Sequence, residues 1–182
     1  MTLPVPRTYA QWSQVLDAFD DGQHDAEALA AMAAGQVDWT PGVATLFSQR
    51  VCALLDRRLQ RCGARLTRDL GLRSDEVTLV RALLDARRHF AVLYQLATLA
   101  TLPEPLRAHL RAELERIAAD MQRGLEEGAQ RARCERSLRA LRHNSLCHYR
   151  PAATDAVAPA PKPGALSAEP PALPARRRTL MI

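Results

Sequence analysis

SDEVTLVRALLDARRHFAVLYQLATLATL, residues Ser74 to Leu102, is the stretch on which the fold turns. Ser74 is a suitable N-cap, and Asp75 and Glu76 follow where the helix dipole favours negative charge, so a helix is expected from 74 to 102. Its second half, Phe90 to Leu102, carries no charged residue. A helix that is apolar on every side is normally buried on every side. The run is too short to cross a bilayer, which takes about 18 consecutive apolar residues, so no membrane insertion is expected. It belongs at the centre of a helical core or at an interface.

The flanking sequence supplies two long neighbours. Thr40 and Pro41 make a helix start, with proline at the first helical position, and a helix over 40–70 is predicted with Phe47, Val51, Leu55, Leu59, Cys62, Leu66 and Leu70 as its apolar stripe. Pro103 and Pro105 close the central helix, and a third long helix is predicted over 104–143. There Leu106, Leu110, Leu114, Ile117, Met121, Leu125, Gly128 and Ala132 recur with an 11-residue period, which predicts straight packing in a bundle rather than a left-handed supercoil. Past Ala132 the stripe changes phase to Cys134, Leu138 and Leu141, where a bend or a new packing partner is expected.

Two short acidic helices precede the bundle, within 8–35. Thr8 caps the first, in which Trp12, Val15, Leu16 and Phe19 fall on one face. Asp25 is the expected cap of the second, with Gly35 closing it. Helices this short need a larger surface to lean on, and the first is the obvious lid for Phe90 to Leu102. The predicted fold is therefore all-α: a bundle of three long antiparallel helices carrying two short N-terminal helices within 1–150, and a disordered Ala/Pro-rich tail at 151–182. In that tail seven prolines and nine alanines fill half of 32 residues.

Alanine, leucine and arginine dominate a chain with 4% aromatic residues, a composition that favours helix. The net charge of +5 hides a gradient: −5 over 1–42, +5 over 43–102, +3 over 103–150 and +2 beyond. An acidic head on a basic body can simply mean that the two touch. The start MTLPVPRTYAQW lacks the apolar core of a secretory signal, so a cytoplasmic location is expected, with Cys52, Cys62, Cys134 and Cys147 reduced.

No constellation carries recognisable chemistry. Aligning Gly22 with the glycine of a calcium loop puts Phe19 and Ala28 where ligands belong, so that match fails. Cys134, His143, Cys147 and His148 lie close in sequence but lack the tight pair that zinc sites present. Gly124 and Gly128 read as close helix packing or a local weak point. His89 is expected to pair with Asp85 one turn away on the surface. With no phosphate loop and no nucleophile elbow, no enzymatic activity, metal, cofactor or small-molecule substrate is inferred.

Two surfaces remain. One is the apolar run, where Phe90, Leu93 and Leu96 are expected to meet a protein partner or a second copy of the chain if nothing else covers them; charging Leu93 or Leu96 would then abolish association more than it unfolds the monomer. The other is RARCERSLRALR, in which Arg131, Arg133, Arg136, Arg139 and Arg142 spread over half of a helix, opposite Cys134, Leu138 and Leu141. Ion pairs from Glu127 to Arg131 and from Glu135 to Arg139 are expected to neutralise part of it. The function that follows is a small cytoplasmic interaction or adaptor protein acting through protein–protein contacts. The alternative is a nucleic-acid-binding regulator using Arg131 to Arg142 and the basic tail.

Overall fold

A computed structural model of the chain describes residues 3–37, 39–71 and 75–150, apart from the side chains of Leu70 and Gly71. The predicted tail at 151–182 and the predicted cap Ser74 lie outside the described residues. Within them the chain is all-α, with six helices and no strand: α1 (Tyr9–Asp21), α2 (Asp25–Ala33), α3 (Pro41–Gly71), α4 (Glu76–Thr98), α5 (Glu104–Arg131) and α6 (Glu135–His143). None of these helices is long and apolar enough to cross a membrane.

Local chemistry sets most boundaries. The Thr8 hydroxyl accepts from the Gln11 amide while the Gln11 side chain accepts from the Thr8 amide, a reciprocal cap that starts α1. Gly22 ends α1 in the left-handed conformation, φ 74°, donating its N–H to the Phe19 carbonyl. Asp25 is the first residue of α2 rather than its cap, because its carboxylate is drawn instead to Arg58. The cap of α4 is Asp75, whose carboxylate accepts from the Thr78 amide at 2.8 Å. That helix stops at Thr98, four residues short of the predicted end, and 99–102 form turns in which Leu99 donates to Leu96 and Leu102 to Leu99.

The third long helix is broken. After Arg131 the Cys134 amide bonds back to the Ala129 carbonyl and the Arg133 amide to Gln130, with Arg133 at φ 52°. This is a Schellman closure, in which the left-handed position is normally glycine. It lets α6 fold back onto α4 and α5. The return is fixed by Gln122, whose side chain receives the Leu146 amide at 3.0 Å and donates to the Leu141 carbonyl, and by Arg87, which donates to the His148 carbonyl at 2.9 Å. Buried positions on α5 follow suit: after Leu114 they are Ala118, Gln122 and Ala129, with Ile117, Met121 and Leu125 only partly covered.

The uncharged run that begins at Phe90 is buried on one side and not on every side: Gln95, Thr98 and Ala100 are exposed and Val92, Tyr94 and Leu99 only partly covered. Phe90, Leu93 and Leu96 expose 0%, 1% and 0% of their surface. The lid is not α1, which packs on α2 and α3, but the chain after α6: the Tyr149 ring lies tilted against Phe90 at 5.5 Å and edge-on to Tyr94 at 5.7 Å. At the other end α2 closes the core, with the Thr101 hydroxyl donating to the Met32 carbonyl. Phe90, Leu93 and Leu96, expected to meet a partner if nothing else covered them, fill the chain's own core. Trp12, Trp39 and Phe47 form a second aromatic cluster, with centroids 4.9–6.3 Å apart.

Glycines in this frame have opposite roles. A methyl group on Gly35 would lie 2.6 Å from Trp12 Cζ2 and 2.9 Å from Pro6 Cγ, whereas one on Gly124 would meet nothing within 4 Å. Gly124 and Gly128 are therefore weak points of α5 and not a close-packing motif. Urea unfolding should show Gly35→Ala destabilised by about 1–3 kcal/mol through overpacking and Gly124→Ala stabilised by about 0.5–1 kcal/mol. Leu93→Glu, which buries a charge in the centre of the core, should give an unfolded chain by circular dichroism rather than a folded monomer that has lost a partner.

Candidate functional site

The distribution of ion pairs decides where the surface is chemically open. Four arginines of α3 gather the acidic head. Arg50 holds both oxygens of Asp17 at 2.7 and 2.9 Å, Arg57 and Arg61 converge on Asp20, and Arg58 grips both oxygens of Asp25 at 2.7 and 2.9 Å. Farther along, Arg107 and Arg111 pair with Glu104, Arg116 with Glu113 and Asp120, and Arg150 with Glu115.

The five arginines singled out from the sequence stand apart from this network. Arg131, Arg133, Arg136, Arg139 and Arg142 are all exposed, and none has a carboxylate within 4.0 Å among the described residues. The expected pairs from Glu127 to Arg131 and from Glu135 to Arg139 do not form; Arg131 donates instead to the Glu127 backbone carbonyl. Nor do the five share one helix. Arg131 ends α5, Arg133 lies in the left-handed link, and Arg136, Arg139 and Arg142 sit on α6. At 100° per residue these last three fall within an arc of about 120°, shared with Glu135 and His143 and opposite the buried Ala140 and Leu141. Residues 131–143 hold five arginines and one carboxylate, Glu135.

A cleft of roughly 190 Å³ lies between the α1–α2 turn, α3 and α4. Its floor is Arg58, 3% exposed, which donates to the Phe19 carbonyl and to Asp25 and lies 4.4 Å above the Phe19 ring. Sequence reasoning missed this residue, since a cation in the middle of a helix gives no local sign of burial. His89 lines the cleft, but it is not paired with Asp85, which takes Arg88 instead; its Nε2–H donates to the Arg58 carbonyl at 3.2 Å. Burial first, and the Arg58 charge second, lower the His89 pKa to about 4, while burial raises the Cys62 thiol to about 11. A base that weak and a thiol that rarely ionises are poorly matched to acid–base or nucleophilic chemistry near neutral pH.

Of Cys134, His143, Cys147 and His148, two have side chains with a neighbour of their own. Cys134 Sγ lies 2.9 Å from the Ser137 hydroxyl, which favours its thiolate, and His143 Nδ1 lies 2.9 Å from the Arg139 carbonyl. Among the described residues no three of His, Cys, Asp and Glu come together as a metal site.

His89 makes the cleft measurable. Its folded pKa of about 4 lies below the 6.5 of an exposed imidazole, so between those values the unfolded chain binds a proton that the folded chain refuses. Stability is therefore lost as pH falls from 6.5 towards 4. The urea midpoint of the wild type should drop between pH 7 and 5 by more than that of His89→Gln; equal drops would show that another group titrates. Comparison with protein-family models, with curated proteins and with solved structures finds no match to this chain.

Proposed function

We propose that this chain is a non-catalytic interaction module whose working surface is the arginine face formed by the end of α5, the link and α6, and that its partner is polyanionic. The scaffold in this reading is three long helices of alternating direction, held by the N-terminal pair and the C-terminal return. One observation carries it: five exposed arginines with no carboxylate within 4.0 Å among the described residues crowd into residues 131–142, whereas Arg65, Arg68 and Arg81, also exposed and in no ion pair among those residues, are spread over α3 and α4, and α3 engages Asp17, Asp20 and Asp25 of the acidic head. Arginine suits this role because its planar fork meets carboxylate or phosphate oxygens two at a time. Phe90, Leu93 and Leu96 lie inside the core, so the three apolar side chains expected to meet a partner are not at the surface. A cytoplasmic setting agrees with four cysteines that form no disulfide.

Retention on immobilised heparin tests this directly. A variant carrying Arg136→Glu, Arg139→Glu and Arg142→Glu should elute at much lower salt than the wild type. A control carrying Arg65→Glu, Arg68→Glu and Arg81→Glu changes net charge equally at other exposed arginines and should elute near the wild type. Equal shifts in both would mean that net charge, not this face, governs binding.

A further inference from the structure

Resting on the polyanion-binding role above, we propose that the α5–α6 turn and the exposed face of α6 bind the phosphate backbone of duplex DNA without reading its sequence. Three neighbouring chemistries separate the candidate polyanions. A protein interface is anchored by buried aromatic and aliphatic side chains at its centre, with charge at the rim. The large apolar residues exposed here are Val5, Tyr9, Leu46, Val77 and Leu84, none of them on α5, the link or α6. A surface of cations without anchors suits a phosphate backbone, where charge neutralisation and hydrogen bonds supply the affinity.

A lipid surface is disfavoured for the converse reason. Amphipathic helices enter membranes by their apolar face, and that of α6 is already used, with Ala140 and Leu141 buried and Leu138 packed on the core. Single-stranded nucleic acid needs large aromatic platforms for its bases; α5, α6 and the link carry no Phe, Tyr or Trp, and the nearby Tyr149 is buried.

The dimensions agree with a duplex. Arg136 and Arg142 are separated by about 9 Å of helix rise, the rise of about three phosphates along one strand. Arg131 and Arg133 extend the patch from the preceding turn. The major groove of B-form DNA, about 12 Å wide, admits a helix between its two phosphate walls, whereas the major groove of duplex RNA is too narrow to take one. Glu135 opposes binding: it lies on the same arc as the arginines, in the first turn of α6, where the helix dipole stabilises it.

The full-length chain is titrated into a fluorescently labelled DNA duplex of about 20 base pairs, with anisotropy read at several salt concentrations. Five phosphate contacts give a slope of about −4.5 for log K against log salt, hence roughly 500-fold weaker binding at 200 mM than at 50 mM. Arg136→Ala with Arg139→Ala and Arg142→Ala should flatten the slope to about −1.8, so that the same change in salt weakens binding only about 12-fold. Glu135→Gln should bind more tightly than the wild type, and scrambling the duplex sequence should change nothing. Absence of binding at 50 mM salt, an unchanged slope in the triple variant, or equal affinity for single strands, duplex RNA or polyglutamate would overturn the DNA assignment. If DNA binding fails while heparin retention still depends on Arg136, Arg139 and Arg142, the broader polyanion role stands; if both fail, neither does.

Discussion

Arg58 is the constraint on which the rest of the structure depends. Its guanidinium is 3% exposed, donates to the Phe19 carbonyl and to both oxygens of Asp25, and lies over the Phe19 ring, while its backbone carbonyl receives His89 from α4. One residue of α3 thus joins α1, the start of α2 and α4. Burying an ion of this kind costs several kcal/mol, and the arrangement persists only because hydrogen bonds and a paired charge offset that cost. Leaving one partner alone in place would strand a charge, so the α1–α2 turn can sit in few other positions. Arg50, Arg57 and Arg61 extend the same docking along α3.

The opposite end of the molecule is organised by packing rather than charge. The uncharged half of α4 needs cover that α3 and α5 cannot supply alone, and the chain meets the need by reversing at Arg133 and returning through α6 to Tyr149. Gln122 is the hinge of that return: it satisfies two backbone groups of the C-terminal segment from inside the core, where an unpaired amide would cost about 1–3 kcal/mol. The buried line on α5 then turns from the Ile117–Met121 side to the Ala118–Gln122 side, since α6 now covers that flank.

Patterns internal to one helix were legible in the sequence. Trp12, Val15, Leu16 and Phe19 are all buried, and so are the six residues from Phe47 to Leu66 predicted for α3. Patterns involving a choice of neighbour were not. Amphipathic spacing says that a face must be covered but not by which element, so α1 was the expected lid where Tyr149 is the observed one. The break after Arg131 was hidden because the left-handed position holds arginine, not glycine, leaving only the phase change at Cys134 as a signal. His89 illustrates competition: a surface pair with Asp85 offers a few tenths of a kcal/mol, less than the hydrogen bond to the Arg58 carbonyl offers a half-buried ring. The pairs expected at Arg131 and Arg139 are of the same weak class and yield to solvation.

The arginine face is a consequence of both organising features together. Since Arg58 and its neighbours hold the acidic head on α3, those carboxylates are not free to move towards α6, and beyond about 8 Å their field is screened at physiological ionic strength. Since the return of α6 buries its apolar side, the arginines have only solvent to face. The patch is thus a local one, effective at contact through displaced counterions more than by attraction from afar. Arg133 shows the balance most plainly: a left-handed backbone costs an L-residue about 1–2 kcal/mol that glycine would avoid, yet glycine there would keep the turn and remove one of the five cations that make the surface basic.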